Sequence, residues 1–407
     1  MKYMRTNKQS GAVSLFVVIF AMLLLTIVTV SFLRLMIGDL QQATNNDLSQ
    51  SALDSAQAGT EDAKRALLYY QQACASGLPA CAQFEAAADE CNTALRVGNV
   101  VRAADEGASA GGATGEIKVQ QTASSDAVFD QAYTCVTIQL NTENVEGELA
   151  NGASKLVPLK GVGSFDRVRV SWYSQEDLST PSTTINLPAR SAGVALPLNV
   201  QTGSGSWPVT RPPVLRTQLM QYASNFRLTD FDSVNASSES NANTLFLYPT
   251  NNGSSAATTF TGNDIRANSA TDSPDPDDIS SSPLAVRCQS SVSSGGYSCT
   301  KTLILPNPVG GSASNRTAYL HLLPFYKGTH FEVRLFNGAT PVLFEGVQPM
   351  IDSTGRANDL FRRVQSRVEM TDASFPYPQA AVDVTTEFCK DFTVIDTPPL
   401  IPATCSY

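Results

Sequence analysis

Few residues in this 407-residue chain have the types and spacing of familiar chemistry. Its two histidines, His321 and His330, both fall in stretches where polar and apolar residues alternate, the period of a strand. A histidine so placed is expected to be a hydrogen-bonded member of a sheet rather than a general base. Gly107-Ala108-Ser109-Ala110-Gly111 spells the GxSxG nucleophile elbow. That elbow requires a strand before it and a helix after it, whereas Ser109 lies in an Ala/Gly/Ser stretch, Val97 to Gly115, that reads as a loop. No phosphate-binding loop, dinucleotide fingerprint or HExxH zinc motif is present. Asp272, Asp275, Asp277 and Asp278 offer oxygens to a calcium ion, but the EF-hand spacing and its glycine are missing, and Pro274 and Pro276 stiffen the run. A solvated loop is the expected reading. No catalytic residue, cofactor or metal ligand is therefore predicted.

Cysteine chemistry is the exception. Eight cysteines stand at 74, 81, 91, 135, 288, 299, 389 and 405, and no two are separated by only two residues. That spacing argues against zinc knuckles and CxxC redox sites, and an even count suits a disulfide framework in an oxidising compartment. Spacing alone leaves the connectivity open. Closeness along the chain favours Cys74–Cys81, Cys288–Cys299 across a hairpin, and Cys389–Cys405, leaving Cys91–Cys135 to join a second short helix, near Ala80 to Leu95, to the first strand of the head.

These cysteines all follow one long apolar segment. From Gln9 to Leu33 there is no charged side chain, and only Ser14, Thr26, Thr29 and Ser31 interrupt the apolar run Ala12 to Leu33. As a helix that run spans about 33 Å, enough to cross a bilayer core. It contains neither Pro nor Gly, so its backbone can close every hydrogen bond internally, as lipid demands. The run is too long for the apolar region of a cleaved secretory signal. Lys2, Arg5 and Lys8 put +3 on the first 11 residues, so the rest carries −12 of the net −9. Positive charge before the span predicts a cytoplasmic N-terminus and an exported body. The acidic balance excludes a basic nucleic-acid binder, and 42 % hydrophobic residues exclude a disordered acidic chain. The 16 % charged residues, against roughly 25 % in an average domain, fit a membrane helix joined to a polar exported surface.

The helical pattern continues beyond the span. Asp39 to Tyr70 contains no Pro, and Leu48, Ala52, Ala56, Gly59, Ala63, Ala66 and Tyr70 recur at intervals of three and four, a narrow seam of mostly small residues. Such a seam admits a close neighbour, either this chain's own head or the helices of other subunits. Gly38, just past the span, is a poor helix former and offers a place either to bend or to melt on assembly, and Ser76-Gly77-Leu78-Pro79 is the first strong stop. Beyond it, strand alternation recurs in Thr134 to Leu140, Val168 to Trp172 and Val364 to Met370. Thr317–Phe325 and His330–Phe336 read as a hairpin joined by Tyr326-Lys327-Gly328-Thr329. A Ser-rich stretch from about 231 to 300 reads as an insertion of loop or irregular β structure.

A basic leader ending in Gly11, an uncharged apolar stretch starting at Ala12 and an unbroken amphipathic extension resemble a type IV pilin-like protein, closest to PilX-type minor pilins and large pseudopilins. The resemblance covers residues 1 to about 73. It implies cleavage between Gly11 and Ala12 by a prepilin peptidase, and packing of the helix with other pilins on an assembly platform. Phe16 stands where major pilins carry a Glu, a departure shared with tip-type members.

The expected fold is α+β and pilin-like: a basic leader (1–11), one long N-terminal helix (12–73, with the span 12–33), a short helix and Gly/Ala/Ser loop (74–130), and a β-rich disulfide-bonded head (131–407). The expected function is a minor pilin-like subunit with an exposed head for tip, priming or adhesive duty, contacting lipid, other pilins and a cell-surface ligand, with no enzymatic role and no nucleic acid. The alternative is a single-pass anchored binding protein or adhesin outside any filament.

Overall fold

The computed structural model describes residues 10–101, 115–119, 130–180, 183–189, 207–222, 241–259, 283–292, 296–310 and 316–370. Three helices come first: α1 (Ser10–Ala75), α2 (Ala80–Ala87) and α3 (Thr93–Val97). The strands follow as β1 (Ile117–Lys118), β2 (Gln131–Thr142), β3 (Asn144–Leu149), β4 (Lys155–Leu159), β5 (Phe165–Ser174), β6 (Val214–Tyr222), β7 (Asn241–Thr250) and β8 (Thr258–Thr259). They continue as β9 (Leu284–Arg287), β10 (Tyr297–Val309), β11 (Thr317–Phe325), β12 (Thr329–Asn337), β13 (Thr340–Val342), β14 (Phe344–Ala357) and β15 (Leu360–Arg367). One long N-terminal helix followed by a β-rich, disulfide-bonded region makes the fold α+β. Two compact units divide the chain, one of residues 1–138 with 351–366 and the other of 139–350 with 367–407, the divisions falling inside β2, inside β14 and at the end of β15.

In the first unit, α1 runs 66 residues without a break, through Gly38, and ends where Gly77 takes a positive φ of 64°. That turn is closed by Ser76 N–H to Gln72 O and Leu78 N–H to Ala73 O, at 3.0 and 2.9 Å, as expected of a glycine-terminated helix. Cys74–Cys81 fastens the end of α1 to the start of α2. Where one helix was expected over Ala80 to Leu95 there are two. Asn92 interrupts them, with a left-handed φ of 58°. Its backbone N–H donates to Val136 O, and its side chain both accepts from Val136 N–H and donates to Thr134 O. Cys91–Cys135 fixes the same point of the chain to β2. Asparagine tolerates this conformation better than most residues, and its bonds to the strand replace those a continuous helix would have made. The sheet of this unit has the order β1-β2-β14-β15.

The second unit is built from two sheets. One has the path β13-β12-β5-β10-β8, with β3 also paired to β12; the other has the order β4-β11-β6-β7-β9. Val170, Trp172, Leu303, Val333 and Leu335 from the first sheet and Leu215, Leu247, Leu320 and Leu322 from the second belong to one buried apolar cluster, so the two sheets share a core as in a β-sandwich. The expected β11–β12 hairpin is not formed. β11 pairs β4 and β6, while β12 pairs β3, β5 and β13. Both edges of β11 are taken by β4 and β6, and those of β12 by β5 on one side and β3 and β13 on the other, while Leu320, Leu322 and Leu323 are fully buried within the shared core. The short connection therefore carries the chain from one sheet to the other, with Tyr326 at a positive φ of 76°. Cys288–Cys299 joins the residue after β9 to β10, and so ties one sheet to the other. Within the Ser-rich stretch the described residues form β7, β8, β9 and the start of β10.

Candidate functional site

The feature that most sets this chain apart is α1 itself. Every large apolar side chain from Leu15 to Leu40 is exposed. Water would penalise that arrangement heavily, since an apolar side chain left exposed forgoes about 1.5–3 kcal/mol; a bilayer would not. The described hydroxyls of the run, Thr26, Thr29 and Ser31, are already satisfied along the helix. Thr26 donates to Leu23 O, Thr29 to Leu25 O and Ser31 to Ile27 O, at 2.8 to 3.0 Å. These three hydroxyls thus present no unbonded donor, which suits a hydrocarbon environment. α1 is thus one N-terminal helix long and apolar enough to cross a membrane, as in a single-pass membrane protein.

The second half of α1 is packed on this chain's own residues. Ala52, Ala56, Ala63 and Ala66 are fully buried, Gly59 is buried, and Leu48 and Tyr70 are half-buried. Against them lie two strand surfaces with almost no clearance. A Cβ on Gly355 of β14 would run into Ala52 O and Ala56 N, and one on Gly59 would come within 2.5 Å of Ser353 Oγ and 2.8 Å of Val136 Cγ2. A Cβ on Gly98, just past α3, would meet Ala66 Cβ at 2.9 Å. Tyr70 stacks on Phe84 of α2 with centroids 4.9 Å apart. The Tyr133 hydroxyl donates to Asp62 at 2.8 Å, and Arg362 donates to Ser49 Oγ at 2.6 and 2.8 Å. Small residues on the helix and glycine on the strand together allow backbone-to-backbone approach. Helical spacing exposes the helix side of this arrangement in the sequence; the strand side, Gly355 above all, carries no such signal.

The other predicted residues are placed as follows. Gly11 and Ala12 lie in the first turn of α1. Three cysteine pairs, Cys74–Cys81, Cys91–Cys135 and Cys288–Cys299, are bonded. Cys389, Cys405, Ser109, Asp272, Asp275, Asp277 and Asp278 lie outside the described residues. His321 is half-buried on β11, and His330 is half-buried on β12. The structure does not bring the two histidines together on one sheet.

In the second unit a cleft of about 860 Å³ is lined by Glu146, Glu148, Glu176, Leu178, Tyr297 and His330, among others. The one-turn helix Gln175–Asp177 after β5 shapes its edge. Ser174 caps that turn by accepting from Glu176 N–H, while Asp177 accepts from Ser174 N–H, a reciprocal capping box. Lys327 donates to Tyr173 OH at 2.9 Å and to Val209 O at 2.8 Å. Burial pushes its ammonium below the ordinary lysine range, and the Asp177 charge pulls it partly back. Burial, reinforced by Asp177, raises the Tyr173 phenol, and burial with four surrounding carboxylates raises Tyr297. Neither phenol ionises near neutral pH, so neither supplies a base.

A bare apolar helix continuing into a helix–sheet unit, with a disulfide-bonded β-sandwich as the second unit, defines the class: a β-rich protein with one N-terminal candidate membrane helix. No family model, curated protein or solved structure matches the chain.

Proposed function

We propose that the chain is a minor pilin-like subunit of a type IV pilus or a related secretion filament. The first half of α1 holds it in the membrane with the N-terminus in the cytoplasm, as Lys2, Arg5 and Lys8 favour. A prepilin peptidase cuts between Gly11 and Ala12, and the exposed apolar helix then packs among other pilins on the assembly platform. The β-rich units lie outside, on the cell surface, in a tip, priming or adhesive role toward a surface ligand, without catalysis. The observation that carries this reading is the continuity of α1: the same helix that is bare and apolar to Leu40 becomes, without a break, the spine of a folded unit. Phe16, where an acidic residue would pair with a preceding subunit, suits a subunit with nothing ahead of it.

The test is N-terminal sequencing of the mature chain from envelopes and from sheared surface filaments. The proposal expects a start at Ala12 in both fractions, and a start at Met1 overturns the processing step. A second reading, a membrane-anchored surface binding protein or adhesin outside any filament, is favoured by one feature: the small-residue seam from Ala52 to Ala66 is already covered by this chain's own sheet. Under that reading the chain is absent from sheared filaments and stays with the membrane.

A further inference from the structure

Both ring nitrogens of His330 face a carboxylate: Nδ1 lies 2.9 Å from Asp177 Oδ1, and Nε2 lies 3.1 Å from Glu176 Oε2. Carboxylate oxygens accept only, and a neutral imidazole has one N–H to give. The Nδ1 contact is a hydrogen bond, and the Nε2 contact is an ion pair only while the ring is protonated, so the imidazolium is the form that satisfies both. The two carboxylates are held very differently. The Asp177 side chain is 7 % exposed and accepts from Ser174 N–H, His330 N–H and Thr329 Oγ1 at 2.8, 3.1 and 3.3 Å. Those bonds keep it in place whatever the charge on the ring. The Glu176 side chain is 76 % exposed, and among the described residues its carboxylate has no partner but His330 Nε2.

We propose that His330 is a proton-operated latch on Glu176. The protonated ring holds the Glu176 carboxylate at the edge of the cleft. When the Nε2 proton leaves to solvent, Nδ1–H stays on Asp177, the Nε2 lone pair turns on a carboxylate, and Glu176 is released. The surrounding groups do not substitute for the lost contact. From β3, Glu148 lies opposite His330 in register, and Glu146 lies two residues away, paired to Arg367 at 2.8 Å. Tyr297 on β10 and Tyr173 on β5 stay neutral, and Lys327 is bound to Tyr173 OH, Asp177 O and Val209 O. Further along β12, Arg334 is engaged by Glu332 at 2.8 Å. Among the described residues no other cation reaches Glu176, and release leaves its carboxylate free at the edge of the cleft that Glu148 also lines.

The full chain in detergent micelles, taken through the range from about pH 5 to pH 8, tests it. Selective ¹⁵N labelling gives a spectrum of only two histidines. The expected His330 signature is protonation of both ring nitrogens at the acid end and of Nδ1 alone at the alkaline end. An Nε2–H tautomer at the alkaline end overturns the proposal, and this readout needs no substitution. Carbodiimide labelling of Glu176, normalised to Glu148 in the same sample, is expected to rise several-fold across that range in the wild type and to stay flat in His330→Gln. A flat ratio in the wild type, or an equal rise in His330→Gln, overturns it.

Discussion

Gly355 of β14 rests directly on the backbone of Ala52 of α1, with no space between them for a side chain. The contact is between elements more than 300 residues apart in sequence, and it places a strand on a helix surface made of alanines. Gly355→Val is expected to destabilise this unit by about 2 kcal/mol or more, since overpacking a tight site costs about 1–3 kcal/mol and here the obstruction is backbone. Urea unfolding of the full chain in detergent, followed by exchange protection of β14 amides, measures it. Gly38→Ala serves as the contrast. Nothing lies within 4 Å of a Cβ there, and an exposed helical glycine replaced by alanine gains about 0.5–1 kcal/mol.

The helix half of that contact was legible in the sequence and the strand half was not. A helix repeats every three or four residues, so Ala52, Ala56, Gly59, Ala63 and Ala66 announce a face by spacing alone. Gly355 stands in Ser353-Thr354-Gly355-Arg356, where nothing distinguishes a close approach from a turn. Composition likewise pointed to a β-rich exported part, but pairing between strands is decided by which distant strands occupy each edge. Hence the chain neighbours β11 and β12 looked like a hairpin although each is claimed by a different sheet. Asn92 split the expected second helix through long-range bonds to Thr134 and Val136, which local propensity does not contain. The His330–Asp177–Glu176 cluster joins residues more than 150 positions apart, beyond any motif.

The disulfides are expected to differ in value by loop length. Cys91–Cys135 closes 44 residues of chain and Cys74–Cys81 only 7. Loop-closure entropy assigns about 4 kcal/mol to the first and about 2 kcal/mol to the second. The double replacement Cys91→Ser, Cys135→Ser should therefore lower the urea midpoint clearly more than Cys74→Ser, Cys81→Ser. Equal losses would indicate that the shorter bridge acts through the fold at the α1–α2 corner rather than through the unfolded chain.

Acid should loosen the edge of the first unit. The Arg363 guanidinium and the Gln365 amide hydrogen-bond to Asp352 and hold its carboxyl below the usual range, against a smaller opposing effect of burial. A carboxyl depressed on folding contributes stability that is complete above its unfolded value of about 3.9 and is lost as pH falls through the lower folded value. The wild type should thus lose this contribution only below about pH 4, while Asp352→Asn should lack it at neutral pH and show a shallower decline in acid. Unfolding midpoints of the two proteins between neutral pH and acid measure the difference; parallel curves would rule out the pair as a source of acid sensitivity.

The membrane assignment of α1 rests on a physical cost that can be imposed deliberately. Leu24 lies near the middle of the uncharged run and is exposed, so it contacts the surrounding solvent, whatever that solvent is. If the solvent is lipid, Leu24→Arg raises the cost of the span by about 3 kcal/mol relative to an apolar residue at the helix centre. Insertion into microsomes or liposomes during translation, scored by carbonate-resistant association and by protease protection, should fall sharply. The same substitution at Gln57, exposed on the packed half of α1, should leave insertion unchanged, because that half is solvated by water and covered on its inner face by the sheet. A Leu24→Arg chain that inserts as well as the wild type would mean that the bare apolar half of α1 is buried by protein instead, most directly by another copy of the same helix.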